Sequence, residues 1–164
     1  MDKVNKITEK NFVDCLGPKE QWDSSLKDAI EYCLGASYPV IIHYGEEDKF
    51  NIMYNQKCAE KVPVIRYKHS HELAFGKNFR EVLSHNQVVI SLYKRILNGE
   101  TEYKRDFPHK DPINDNKELE QRYYTFLMSP IRNKDVIIKA MLCVCEDTTD
   151  KVLGIERVPN SLTR

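Results

Sequence analysis

Five histidines (His43, His69, His71, His85, His109) and five cysteines (Cys15, Cys33, Cys58, Cys143, Cys145) carry the side chains from which nucleophilic, acid–base or metal chemistry is most readily built. Their spacing supports little of it. A zinc site needs several Cys or His ligands at short, repeated spacing, and no Cys-x-x-Cys pair occurs. Cys143 and Cys145 on a strand would lie on one face roughly 6.5–7 Å apart, with parallel side-chain directions that suit neither a disulfide nor a metal site. They read as reduced structural thiols, which fits a reducing compartment. Ser84-His85 and His69-Ser70-His71 are neighbours in sequence, and that adjacency does not orient a nucleophile against a base. No Gly-x-Ser-x-Gly, phosphate loop, His-Glu-x-x-His or paired-acid arrangement accompanies them. Neither an enzyme active site nor a metal centre is expected.

The elements that would position these residues are easier to read. Residues 122–128 alternate Tyr124, Phe126 and Met128 on one face with Tyr123, Thr125 and Leu127 on the other. After the polar turn near Asn133-Lys134-Asp135, Ala140, Leu142 and Val144 oppose Met141, Cys143 and Cys145. Both faces are apolar, so both should be covered. Upstream, residues 39–44 and 50–54 read as a hairpin around the polar turn 45–49, and residues 101–107 as a further strand. Trp22, Leu26, Ala29, Ile30, Cys33 and Leu34 make one helical stripe, with Asp23, Ser24 and Ser25 able to cap its start and Gly35 to end it. Residues 55–61 suit a short helix, 62–76 short helical pieces and loops, 79–83 a helical turn, and 86–98 the longest helix of the second half. Residues 1–16 read as a short helix or loosely held lead-in, and 108–117, rich in Pro, Asp and Asn, as a loop.

Composition narrows the function. Lys plus Arg and Asp plus Glu both number 25, so no net field steers the chain toward nucleic acid or a membrane. No run approaches ~20 apolar residues, and neither a signal peptide nor a spanning helix is expected, which points to a cytoplasmic location, with the nucleus as the other compartment open to it. One domain is expected at this length.

Eight short pieces in a fixed order then carry a resemblance: Gly17-Pro18-Lys19-Glu20-Gln21-Trp22, Ser25-Leu26, Pro39-Val40, Tyr54-Asn55, Gly76-Lys77, Thr125-Phe126, Ser129-Pro130-Ile131-Arg132 and Glu146-Asp147-Thr148-Thr149. Together they resemble the sensory PAS domains of hybrid histidine kinases, over roughly residues 16–150. The resemblance implies an α+β fold: a five-stranded antiparallel sheet in the order 2-1-5-4-3 with a helical insertion and an amino-terminal amphipathic helix. It divides the chain into a lead-in (1–20), the domain (21–150) and the start of a signalling linker (151–164). It implies a regulatory role, probing a signal or dimerising and passing the result to an output module, as in a phosphorelay. The kinase catalytic parts have no counterpart here, so no kinase activity is expected.

The implied ligand pocket would be lined by Ile42, Ile52, Tyr54, Cys58, Phe79, Leu83, Ile90, Tyr93, Phe126 and Leu142, with Asn55, His85 or a tyrosine hydroxyl as polar handles. The alternative is that these side chains fill the space as core. Trp22, Leu26, Ile30, Met141 and Cys143 are the candidates for a homodimer or partner interface, the partner being another signalling protein. No cofactor is expected, although a small-molecule ligand is open. Flavin-binding relatives carry an Asn-Cys-Arg-Phe-Leu-Gln type motif that is missing here, and haem-binding ones place a His on or near the longer helix, where only His85 stands. A haem or flavin sensor and a ligand-free adaptor are the rival readings.

Overall fold

The computed structural model describes residues 6–45, 49–71, 74–82, 87–112 and 118–155. Strands β1 (Val40–Tyr44), β2 (Asn51–Tyr54), β3 (Glu102–Pro112), β4 (Leu119–Arg132) and β5 (Ile138–Asp147) form one antiparallel sheet. Its order is β2-β1-β5-β4-β3, as the resemblance implied. Helices α1 (Glu9–Leu16) and α2 (Ser24–Gly35) precede it, and α3 (Gln56–Lys61), α4 (Pro63–Ser70), α5 (Phe79–Val82) and α6 (Gln87–Leu97) fill the passage from β2 to β3. The short α7 (Thr149–Val152) follows β5.

Register decides which side chains meet which layer, because cross-strand partners share a face. Ile41 pairs with Tyr54 and Cys143, and His43 with Ile52 and Met141. Cys143 in turn pairs with Met128, and Cys145 with Phe126. This is the inner face, which meets the helices of the β2–β3 passage. Val40, Ile42, Leu142 and Val144 therefore occupy the outer face. Ile42 and Leu142, expected in the pocket, are on the wrong side of the sheet for it. Met141 and Cys143, expected at an interface, are on the inner face and buried at 0% and 6% exposure. The physical reason is that β1 and β5 are apolar on both faces, so alternation fixes parity without saying which set points inward.

Helix α2 covers part of the outer face. Asp23 caps it by accepting from the Ser25 N–H at 3.0 Å, and Leu26, Ile30 and Cys33 form its buried stripe. Trp22 is also buried and donates its indole N–H to the Gly17 carbonyl at 2.9 Å. Trp22, Leu26 and Ile30 thus serve the chain's own core rather than a free interface. The lead-in is equally committed: Phe12 of α1 is fully buried.

The expected loop at 108–117 is partly strand, since β3 runs through Pro112. Pro108 and Pro112 fit because β3 is an edge strand, where a missing N–H breaks no ladder bond on the open side. The remainder, 113–117, lies outside the described residues.

Candidate functional site

Between the inner face and the helices lies a cavity of about 100 Å³. On the sheet side it meets Ile41 and His43 of β1, Cys143 and Cys145 of β5, Tyr124, Phe126 and Met128 of β4, and Phe107, His109 and Asp111 of β3. On the helical side stand Val62, Val64 and Ile65 around the start of α4, with Leu92 and Tyr93 of α6.

A β-bulge is what brings β3 to this wall. Lys104 pairs with Phe126 and Phe107 with Tyr124, so β3 advances three residues while β4 advances two. The extra residue inverts the parity of everything after it. Phe107, His109 and Asp111 would otherwise share the outward face of Tyr103, which is exposed. Asp106 takes the left-handed turn at φ 49°, and its N–H is held by the Thr125 hydroxyl at 3.0 Å. Asp tolerates that backbone region, whereas a β-branched residue does not. Asp106→Val should therefore cost about 1–2 kcal/mol in urea unfolding, while Asp106→Gly should stay within about 0.5 kcal/mol of the parent. Equal losses would show that the bulge does not depend on this backbone turn.

Two polar groups are built into the cavity wall, each internally paired. Asp111, 1% exposed, accepts at 2.6 Å from His109 Nδ1 and at 2.6 Å from the Tyr124 hydroxyl. Burial first, and then Asp111, raises the Tyr124 phenol, so it remains protonated and is the donor. Across the cavity the Tyr93 hydroxyl lies 3.3 Å from His43 Nδ1, with the two rings tilted together at 5.0 Å between centroids. Burial lowers His43 to about 3, so the folded protein holds it neutral.

That depression has a pH consequence. Between about pH 6.5 and 3 the unfolded chain protonates this imidazole and the folded one does not, so this contribution is complete above about pH 6.5 and is lost as pH falls toward 3. His43→Leu should flatten the acid limb of stability in that window, measured as the difference in urea midpoint between pH 7 and pH 4 for variant and parent. An unchanged difference would mean that the imidazole is not held neutral.

The thiols form the third group. All five cysteines are free, and Cys143 and Cys145 touch the cavity with Cys58 of α3 beside them. Burial raises Cys58, and the hydrogen bond to Cys145 followed by burial raises Cys143. Cys145 is the acceptor of both neighbours and is lowered by them. Hydrogen bonds from neutral thiols supply no positive charge of the kind that activates a cysteine nucleophile. Among the described residues no group of three or more His, Cys, Asp or Glu is placed to hold a metal.

Of the expected pocket residues, Tyr93 and Phe126 line the cavity. Ile52, Tyr54, Cys58, Phe79 and Ile90 are buried but do not line it. Tyr54 bonds His69 Nδ1 at 2.6 Å, and His69 is a buried residue of α4. Asn55 is no polar handle for a ligand, because both ends of its amide are engaged by backbone groups. Leu83 and His85 lie outside the described residues. His109 and Asp111 were missed, although Phe107, His109 and Asp111 alternate at strand spacing. Pro108 within that run and Pro112 just after it hid the signal.

At the far end of β5, Tyr123 is tied to the exit segment. The Thr148 N–H donates to its carbonyl at 2.8 Å and its own N–H donates to the Thr149 hydroxyl at 2.9 Å. Asp147 accepts from the Thr149 N–H at 3.0 Å and pairs with Arg122. The acidic-threonine stretch thus closes β5 onto β4.

No protein-family model matches the chain, and neither does any curated sequence. Solved structures do. An RNA-binding light-oxygen-voltage (LOV) receptor superposes with a TM-score of 0.55 at 15% identity, over 80% of this chain and 35% of that one. The Rhodobacter sphaeroides LOV protein gives 0.55 at 7% identity, over 78% and 72%. The LOV domain of a blue-light-activated histidine kinase from Erythrobacter litoralis gives 0.50 at 18%, over 70% and 98%. LOV domains are a PAS subfamily. The chain has a PAS-like fold. It spans about a third of the receptor's length, so the likeness to that protein concerns one of its parts. In PAS terms, the cavity lies between the sheet and the helical insertion, and Asp147 to Thr149 form the exit. No helix among the described residues is long and apolar enough to cross a membrane.

Proposed function

We propose that this chain is a sensory module of a signalling protein, which registers occupancy of the inner-face cavity and passes it to an output through the segment leaving β5. The observation that carries this reading is a pair of adjacent residues. Tyr124 borders the cavity and bonds Asp111, while Tyr123 holds Thr148 and Thr149 at the exit. A shift of the β4 backbone on ligand entry is therefore felt at the exit within one peptide unit. The module works by binding rather than by catalysis in this reading, since the cavity histidines His43 and His109 are hydrogen-bonded to Tyr93 and Asp111, and Cys143 and Cys145 to each other, instead of being presented to a reacting centre.

One LOV domain structure similar to this chain is described with a flavin analogue, and flavin and haem are the cofactors that such a sensor would hold. Neither group fits. Pockets for ligands of ordinary drug size run to roughly 300–1,000 Å³, and the cavity here is about 100 Å³. The adduct-cysteine motif is also missing from the sequence.

The test is hydrogen exchange on the full chain with and without a cavity occupant, alongside native mass spectrometry and an absorbance scan of the purified protein. Occupancy should change exchange at residues 147–152 as well as at the cavity wall. Wall changes with no change at 147–152 would sink the signalling reading, and a visible flavin or haem band would overturn the size argument.

A second reading, contact with a signalling partner, is favoured by one surface. A groove of about 680 Å³ has Tyr38, Pro39, Lys57 and Lys61 on one side and Tyr103, Leu127 and Glu146 on the other. Tyr103 is 59% and Leu127 42% exposed. Two copies related by a two-fold axis could set Lys57 and Lys61 of one against Glu146 of the other around an apolar centre, the self-complementary pattern of an isologous dimer. Light scattering should then show a dimer that Leu127→Asp dissociates. The balanced net charge supports a protein partner over RNA, and a filter-binding assay in low salt decides between them.

A further inference from the structure

We propose that the cavity selects a small, uncharged and wholly apolar molecule, no larger than about one aromatic ring, over any ligand with a charged or hydrogen-bonding head. The proposal rests on the reading of the cavity as a sensing chamber and names the chemistry of its occupant.

Three observations carry it. The first is pairing. Each oxygen of Asp111 accepts one hydrogen bond, from His109 Nδ1 and from the Tyr124 hydroxyl, and the Tyr93 hydroxyl is turned to His43 Nδ1. These contacts direct the polar atoms at one another and leave ring faces, methyls and thioether to form the lining. The second is charge. Among the described residues no Lys or Arg lines the cavity, so a carboxylate or phosphate would be buried there without a lysine or arginine counter-ion, which costs far more than it returns. The third is size. An apolar cavity of roughly 150 Å³ stays dry and accepts benzene or xenon, because a buried water needs two to four polar partners. At about 100 Å³, with a lining that is almost wholly apolar, this cavity falls in the same size range. An apolar occupant displaces no well-bonded water and gains the contacts with Leu92, Phe126 and Met128.

The test titrates the full chain with xenon, toluene, phenol and benzoate and follows the Met128 methyl by NMR in protein labelled at methionine methyls. Toluene and xenon should give saturable shifts, toluene should bind at least tenfold more tightly than phenol, and benzoate should give none. Cys145→Leu, which fills the cavity, should weaken toluene at least tenfold. Should that variant fail to fold, Leu92→Ala enlarges the same cavity and should tighten toluene. Phenol or benzoate binding more tightly than toluene overturns the apolar selection and leaves the chamber reading standing. Binding of none of the four overturns both. Toluene affinity unchanged in every folded cavity variant places the binding elsewhere and overturns the proposal.

Discussion

Asn55→Ala should lower the stability of the domain by about 3–4 kcal/mol, enough to drop Tm by roughly 10 °C. Asn55 is 2% exposed, and its single amide holds three elements. Its oxygen accepts from Cys58 N at 2.9 Å, which caps α3, and from Val40 N at 3.2 Å, which fixes the start of β1. Its nitrogen donates to the carbonyls of Cys33 at 3.0 Å and Tyr38 at 2.8 Å, which secure the end of α2 and the turn after it. Alanine strips the cap and leaves four backbone groups short of a partner, each in a place that water reaches poorly. Asn55→Asp keeps the acceptor and loses the donor, aiming a carboxylate at two carbonyls. Its loss should match or exceed that of alanine at pH 7 and shrink at acid pH, where the protonated carboxyl can donate once. Urea unfolding at both pH values reads this directly, and a loss under about 1 kcal/mol for the alanine variant would remove Asn55 as the clasp.

Phe12→Ala should cost a similar amount, about 3–5 kcal/mol. The ring is fully buried and meets Phe75 edge-on at 5.2 Å, and Phe75 meets Tyr54 edge-on at 5.1 Å. Tyr54 then closes on His69. Helix α1 is thereby joined to β2 and α4 through a continuous aromatic column, and truncating its first member opens a cavity that the rigid column cannot collapse to fill. Removing residues 1–16 should have at least the same effect on Tm. An unchanged melting profile after that deletion would make α1 the loosely held lead-in that its polar sequence suggests.

The strands were legible because alternation and turn residues are local, and their order in the sheet was available only through the resemblance that the short motifs carry. The α2 stripe, its Asp23 cap and its stop near Gly35 were legible for the same reason. The site was far less so. Two strands apolar on both faces conceal which parity points inward, which sent Ile42 and Leu142 to the cavity and Met141 and Cys143 to an interface. Only the pairing with Ile52 and Tyr54 across β1 resolves that choice, and pairing is a long-range property. Asn55 looks from sequence like a loop polar group with room for a ligand. Its four backbone partners come from residues 33–58, a set of contacts that no spacing rule lists. His109 was hidden by Pro108 and Pro112, which argue for a loop unless the strand is known to be at an edge.

The bulge at Asp106 also makes the cavity's chemistry a matter of counting. Closing that bulge at the present length would slide β3 into its other frame, turning His109 and Asp111 outward and Pro108 and Lys110 inward, whereas removing one residue at the bulge lets β3 and β4 advance in step and keeps Phe107, His109 and Asp111 on the cavity side. That frame shift would exchange the hydrogen-bonded His109–Asp111 pair for a lysine without a substitution at any lining position. Among chains that share this sheet, the presence of the bulge between Lys104 and Phe107 is thus as consequential for ligand choice as the identity of any side chain in the wall.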